Sequence, residues 1–169
     1  MNNLTFRYLP LDCKIIASSF TDNTPVVFSK ITTPDVKISE AIRYSISVPL
    51  LFGYKKYKEK PLVDGLLISN YPIDIFNDDS NRTIGFRMIS SRKVCLNKLT
   101  IWEYVFYLIE SLLLSIEQEH IEDATSAYTI NFDVSEFNPL NFNVTENDKH
   151  KMFELGYNTA MKALGEMNG

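Results

Sequence analysis

The order of the secondary-structure patterns along the chain is the feature that most restricts its fold. Short apolar runs rich in β-branched residues alternate with segments whose apolar residues recur at helical spacing. These patterns predict strands over 13–20, 26–29, 52–57, 62–63, 83–89 and 127–132, and helices over 38–47, 72–76, 99–122 and 146–167. Strands and helices interleaved in this way predict an α/β fold.

The length and composition fit one ordinary globular domain, or a little more than one. Of the 169 residues, 45% are hydrophobic and 22% are charged, close to the values of ordinary soluble globular proteins. The net charge of −4 gives no basic field, so we expect no nucleic-acid partner. The N-terminal residues show no signal-peptide pattern, which predicts a cytoplasmic protein.

The helix predicted over 99–122 raises the question of membrane contact. Glu103, Glu110 and Glu117 recur every seven residues and form one polar stripe among apolar residues. A membrane-spanning helix needs about 20 predominantly apolar residues, so the stripe favours a buried amphipathic helix. Peripheral contact, with this helix lying in the membrane interface, is the alternative.

Cysteine and histidine, which often hold metals, are few and scattered in this chain: Cys13, Cys95, His120 and His150. Asp74, Asp78 and Asp79, with Asn77 and Asn81, form a separate polar group that could hold a hard cation. The cysteines and histidines lack the spacing of zinc ligands, and the acidic residues match no calcium loop. We therefore expect neither a metal nor a cofactor.

Asp64-Gly65 is the most suggestive local feature, because it directly follows the strand predicted over 62–63. In α/β enzymes, reacting groups are commonly placed at the carboxyl ends of strands. Asp-Gly is also a frequent turn dipeptide, and we expect 66–71 to form a loop. On local pattern alone, a catalytic and a purely structural role for Asp64 both stay open.

Two segments around Asp64 resemble the second half of a patatin-like phospholipase domain. Residues 41–52 read AIRYSISVPLLF, and residues 62–72 read LVDGLLISNYP. Residues 15–26 are similar to the strand and hairpin that precede these motifs in the family, and residues 142–164 are similar to its closing helix. The resemblance covers nearly the whole chain and implies a partial three-layer α/β/α patatin-like fold that lacks its N-terminal half.

The resemblance also implies an activity. Patatin-like enzymes are serine acyl hydrolases of lipid esters, and they use a Ser-Asp dyad without histidine. Asp64 matches the dyad aspartate, while Gly65, Asn70 and Pro72 match the loop that supports it. Gly65 is expected to allow a tight backbone turn beside the site, and Leu66 stands where the family usually has glycine or alanine.

The family's nucleophile has no counterpart in these residues, because that serine stands in a G-x-S-x-G elbow. The glycines are Gly53, Gly65, Gly85, Gly156, Gly165 and Gly169. Only the last two have the elbow spacing, and Met167 occupies the nucleophile position between them. Ser45 and Ser47 flank the end of the helix predicted over 38–47, where capping and packing are the ordinary roles of a hydroxyl. We expect no replacement nucleophile among the four candidate serines, Ser45, Ser47, Ser69 and Ser90.

Three hypotheses follow for function. In the first, the chain is the C-terminal portion of a patatin-like lipid acyl hydrolase that retains Asp64, lacks the serine and the oxyanion loop, and is inactive alone. In the second, it is a non-catalytic remnant that binds lipid or a partner chain. In the third, a separate polypeptide supplies the N-terminal half. Unpaired strand edges favour self-association, so we expect a homodimer or poor solubility for the isolated chain.

Overall fold

The computed structural model describes residues 4–49, 52–68, 71–73, 75, 83–90, 100–102, 104–105, 107–108, 128–137, 141 and 143–167. Within these residues the strands are β1 (Ile15–Ser19), β2 (Thr24–Phe28), β3 (Lys55–Tyr57), β4 (Lys60–Asp64), β5 (Ile84–Ile89) and β6 (Tyr128–Asp133). The two α-helices with defined bounds are α1 (Ile38–Ser45) and α2 (Glu146–Met167), and short 3₁₀ helices cover Phe6–Tyr8 and Gly65–Leu67. The predicted α/β class is confirmed.

The chain divides into two compact units. The first comprises Met1–Pro72 with Ser111–Glu117, and the second comprises Ile73–Glu110 with Gln118–Gly169. The prediction that residues 1–169 are the C-terminal portion of one patatin-like domain stays a prediction.

The first unit is built on a four-stranded antiparallel sheet with the strand order β2-β1-β4-β3. β1 and β2 form the predicted hairpin, with Asn23 in the left-handed region at φ 51°. β3 and β4 form a second hairpin, and α1 packs against β1 and β4. β4 is therefore a central strand that lies between β1 and the edge strand β3.

β3 is shorter than the predicted strand over 52–57. Its pairing with β4 stops at Lys55 opposite Leu62. Beyond Leu62, the Asp64 N–H donates instead to the carbonyl of Ser47, at 3.0 Å. The main chain after α1 thus occupies the edge of β4 along which β3 would otherwise continue.

A small apolar core holds the helix against the sheet. Its five completely buried members are Phe6, Ala17, Phe28, Ala41 and Leu62. The small side chain of Ala41 lets α1 lie close to the sheet. The Phe28 ring stacks on Tyr44 and meets Tyr57 edge to face, with centroid distances of 5.5 and 5.1 Å. These rings attach both α1 and the β3–β4 hairpin to the core.

α1 ends at Ser45, two residues before the predicted end. Ile46 has left the helical region, with φ −103° and ψ 9°, although its N–H still donates to the carbonyl of Ile42. The Ser47 hydroxyl donates to the carbonyl of Arg43 at 2.5 Å. Ser47 therefore helps to close the helix, as its capping interpretation predicted.

The second unit contains β5 and β6, which pair in parallel from Ile84 opposite Tyr128 to Ile89 opposite Asp133. α2 packs against β6, and the Tyr128 hydroxyl donates to the carbonyl of Ala163 at 3.3 Å. α2 starts where the sequence predicted. The Asp148 N–H donates to the Thr145 hydroxyl at 3.2 Å, and the Thr145 N–H donates to the Asp148 carboxylate at 3.0 Å, which completes a capping box.

The helix predicted over 99–122 lies largely outside the described residues. Residues 101, 102, 104, 105, 107 and 108 are helical, and the Tyr104 N–H donates to the carbonyl of Thr100 at 3.0 Å. No described helix combines the length and the apolar character that crossing a membrane would require.

Candidate active site

Asp64 is the last residue of the central strand β4, and it is 8% exposed. On one side it lies opposite Ala17 of β1, and on the other its N–H donates to Ser47. The main chain that carries the carboxylate is therefore held by neighbours at both edges. The predicted position at a strand terminus is correct, but the sheet is antiparallel, so the rule for parallel sheets does not explain the location.

Gly65 is required by close packing. A Cβ atom at this position would lie 2.7 Å from the carbonyl oxygen of Ile16 and 3.3 Å from its carbonyl carbon. The φ angle of Gly65 is not positive, so left-handed backbone is not the reason for glycine here. The expected tight turn beside the site therefore depends on the contact between Gly65 and β1.

The main chain after Asp64 forms a 3₁₀ helix over Gly65–Leu67, where the sequence predicted a loop. The Ile68 N–H donates to the carbonyl of Gly65 at 3.3 Å. The buried hydroxyl of Ser18 in β1 donates to the same carbonyl at 3.2 Å. The Asp64-Gly65 corner is thus fixed by a side chain that sequence reasoning did not select.

Ser18 is the site residue that sequence reasoning missed, and its neighbour Ser19 is a second buried hydroxyl in the same strand. Both are almost completely buried, with exposed fractions of 1% and 0%. The Ser19 hydroxyl donates to the Asp22 carboxylate at 3.3 Å. The available signal was two adjacent small polar residues in an otherwise apolar strand, because buried hydroxyls in such a position need specific partners.

The structure describes only part of the predicted supporting loop. Pro72 is half-buried and precedes the 3₁₀ residue Ile73, where the sequence predicted the start of a short helix. Asn70 lies outside the described residues. The role assigned to each of them by the resemblance stays a prediction.

The four substitute serines differ in position. Ser47 lies beside Asp64 through its main chain, but its hydroxyl proton is directed to the carbonyl of Arg43. Ser45 is the last residue of α1, and Ser90 directly follows β5 in the second unit. Ser69 lies outside the described residues. The described geometry of Ser47 fits a structural hydroxyl rather than an activated nucleophile.

The predicted absence of a metal site stays a prediction for the whole chain. No group of three potential ligands occurs among the residues that the structure describes. Asp74, Asp78, Asp79, His120 and Cys95 lie outside them, and Cys13 is a free thiol. His150 is exposed on α2, with its Nε2 3.4 Å from the Glu154 carboxylate.

β4 connects a charged surface with the buried Asp64. Lys60 opens the strand and forms an ion pair with Asp22. The hydrogen bond from Lys60 holds the pKa of the Asp22 carboxyl below its ordinary value. This pair links the β1–β2 turn to the start of the strand that ends at Asp64.

The corner offers one kind of chemistry. A buried carboxylate on a fixed main chain can accept the proton of a hydroxyl that lies within hydrogen-bond reach. A serine activated in this way can attack an ester carbonyl. Asp64 is a carboxylate of this kind, and its main chain is held by Ala17, Ser47 and the Gly65 contacts.

Comparison with known proteins identifies the segment around this corner. Residues 2–77 match the family model of patatin-like phospholipases. The uncharacterized protein R571 of Acanthamoeba polyphaga mimivirus is 26% identical over 175 residues, which cover 97% of this chain and 58% of R571. The uncharacterized protein YqhO of Bacillus subtilis is 26% identical over 156 residues, which cover 85% of this chain and 54% of YqhO.

A shorter alignment reaches a higher identity. The probable lipid hydrolase 463L of Invertebrate iridescent virus 6 is 34% identical over 61 residues, which cover 36% of this chain and 21% of 463L. The chain spans little more than half the length of R571 and of YqhO. The matched family region contains Asp64, Gly65, Asn70 and Pro72. The resemblance predicted from the sequence is confirmed by the family match, which covers residues 2–77.

Proposed function

We propose that residues 1–169 form the aspartate-bearing part of a patatin-like lipid acyl hydrolase. Asp64 is the dyad aspartate, and the serine belongs to a G-x-S-x-G segment outside these residues. The observation that carries the proposal is the burial of Asp64 at the end of a central strand, with Gly65 packed against Ile16. The family match and the similarity to the probable lipid hydrolase of the iridescent virus support lipid esters as the substrate class.

The proposed chemistry needs one proton acceptor. Asp64 accepts the hydroxyl proton as the serine oxygen bonds to the ester carbonyl carbon. The proton then passes to the departing alkoxide, which leaves as an alcohol, and the acyl group stays on the serine. Water attacks that acyl group, Asp64 accepts a proton from the water, and the serine regains its hydroxyl as the fatty acid leaves.

The supporting residues have positioning roles in this scheme. Ser18 and Ser47 hold the main chain on either side of the carboxylate, through Gly65 and Asp64 respectively. Asn70 and Pro72 complete the loop that follows. No metal or cofactor enters the scheme, because the carboxylate performs the proton transfer.

The test is ester hydrolysis by a polypeptide that contains both the elbow and residues 1–169. The locus that encodes this chain is sequenced, and the elbow-containing product is assayed with a p-nitrophenyl ester and a phospholipid. We expect Asp64→Asn to lower kcat about 10⁴-fold or more, the size of effect seen when a catalytic aspartate or nucleophile is removed. Residues 1–169 alone are expected to give no hydrolysis above a heat-denatured sample.

A matched variant controls for the loss of a carboxylate. Asp35 is exposed and pairs with Arg7 at 2.8 Å. Such an exposed pair contributes at most about 1 kcal/mol to stability, so Asp35→Asn is expected to keep full activity. Full activity in Asp64→Asn would contradict the assignment. Hydrolysis by residues 1–169 alone would place the nucleophile within these residues and contradict the proposal.

A second function is favoured by the glycine positions, which exclude an elbow within these 169 residues. If no polypeptide supplies the serine, the chain is a patatin-like module that binds lipid or a partner protein without catalysis. Flotation with liposomes and co-purification test the two versions. A locus without an upstream elbow, together with lipid association, would support this alternative over the first proposal.

A further inference from the structure

The β3–β4 hairpin and the residues that lead into it combine exposed aromatic and basic side chains. We call residues 52–60, with the sequence FGYKKYKEK, the basic hairpin. Phe52 and Tyr54 are 52% and 62% exposed. The exposed lysines of the segment are Lys55, Lys56, Lys58 and Lys60.

The net charge of the basic hairpin has the opposite sign to the net charge of the whole chain. Four lysines and Glu59 give it a net charge of +3, in a chain whose net charge is −4. Lys60 pairs with Asp22, and the Lys56 ammonium lies 3.9 Å from the Glu59 carboxylate. The ammonium of Lys58 lies 5.3 Å from the centroid of the Tyr57 ring. Lys55 and Lys58 are thus the lysines best placed to add positive charge at the surface.

The hairpin is held in a defined shape. Tyr57 packs against Phe28, and the Tyr44 hydroxyl donates to the carbonyl of Lys56 at 3.4 Å. The turn consists of Lys58 and Glu59 alone, both in the left-handed region at φ 46° and 65°. Asn-Gly or Asp-Gly adopts such a turn with less strain. Backbone preference alone would therefore not place the charged residues Lys58 and Glu59 in this turn.

We propose that the basic hairpin is a docking surface for a membrane that contains anionic lipids. Lysine ammonium groups are attracted to anionic head groups, and aromatic side chains favour the interface between head groups and acyl chains. Both kinds of side chain are exposed here on one short edge segment. The positive charge on an otherwise acidic chain selects an anionic surface over a neutral one.

The location of the hairpin relates this surface to Asp64, and this part of the argument rests on the proposed function. Lys60 and Asp64 are the two ends of β4. Four residues of extended strand span about 13 Å, so a membrane in contact with the hairpin lies within a short distance of the carboxylate. Lipid esters would then be presented near the site by the surface that recruits the protein.

The test is flotation of the 169-residue chain with vesicles of phosphatidylcholine alone and of phosphatidylcholine with 30% phosphatidylserine. We expect binding only to the anionic vesicles, with weaker binding at 0.5 M than at 0.1 M salt. Each lysine near an anionic surface adds about 1 kcal/mol, so K55Q/K58Q is expected to weaken partitioning about 30-fold. K55R/K58R is expected to keep the partitioning onto anionic vesicles. The double variant Phe52→Ser/Tyr54→Ser is expected to reduce that partitioning.

Two controls separate local from global effects. K151Q/K162Q removes the same charge from exposed positions on α2 and is expected to bind as the unchanged chain does. Asp64→Asn is also expected to bind normally, so failure of the catalytic proposal leaves this inference standing. Absent binding, equal binding to both vesicle types, or full binding by K55Q/K58Q would overturn it. Hairpin-dependent binding to heparin without vesicle binding would also overturn it.

Discussion

Gly65→Ala is the substitution whose effect can be derived most directly from the structure. The added methyl would lie 2.7 Å from the carbonyl oxygen of Ile16, closer than carbon and oxygen approach each other without displacement. Because the obstacle is main chain in β1, no side-chain rotation can relieve the contact. The Asp64-Gly65 corner and β1 must move apart.

The magnitude follows from two opposing terms. Overpacking of this kind costs about 1–3 kcal/mol. Replacing glycine by alanine also stabilises the protein by about 0.4–1 kcal/mol through the unfolded state. A net loss of about 1.5 kcal/mol, divided by a typical urea m-value of about 2 kcal/mol/M, lowers the unfolding midpoint by about 0.7 M.

Urea unfolding followed by far-UV circular dichroism measures this shift. Gly53→Ala is the matched control, because a Cβ at Gly53 meets nothing within 4 Å. We expect that control to leave the midpoint unchanged or to raise it slightly. A midpoint for Gly65→Ala equal to that of the unchanged chain would refute the packing argument.

Two further predictions concern individual polar contacts. Thr145→Ala removes one half of the capping box with Asp148 and is expected to cost about 1 kcal/mol, measured as a lower urea midpoint, while Thr145→Ser retains the cap. The pKa of Asp22 is lowered chiefly by its hydrogen bond from Lys60, so this pair's stabilisation is complete above the ordinary value of 3.8 and is lost as pH falls below it. NMR titration should show the Asp22 pKa rising toward 3.8 in Lys60→Gln, and an unchanged Asp22 pKa would contradict the pairing.

Local patterns predicted much of the fold. The start of the helix predicted over 146–167 was correct, because the capping-box residues Thr145 and Asp148 lie three positions apart in sequence. The β1–β2 hairpin could be predicted because turn residues separate two runs of β-branched residues. In both cases the interacting residues are neighbours along the chain, so propensity and spacing carry the information.

The pairing of strands that are distant in sequence could not be predicted in the same way. β1 pairs with β4 across more than 40 residues, with Ala17 opposite Asp64, and no local pattern specifies that register. The need for glycine at position 65 and the role of Ser18 both follow from this pairing. The sequence therefore located Asp64 at a strand terminus but did not predict what fixes it there.

Strand β5 exposes large apolar side chains, and this exposure is relevant to the predicted self-association. Phe86 and Met88 are 61% and 74% exposed, on the face of the parallel sheet that also carries buried Ile130. Parallel sheets are normally covered on both faces. The predicted homodimer or poor solubility of the isolated chain stays a prediction, and size-exclusion chromatography that shows a stable monomer would count against it.

The proposed dyad draws its aspartate, Asp64, from these residues and its serine from outside them. Fluorophosphonate labelling of the elbow-containing product, followed by peptide mapping, tests both parts in one measurement. We expect a labelled serine within G-x-S-x-G outside residues 1–169, and much slower labelling in Asp64→Asn. A labelled serine within residues 1–169, or labelling at the same rate in Asp64→Asn, would contradict it.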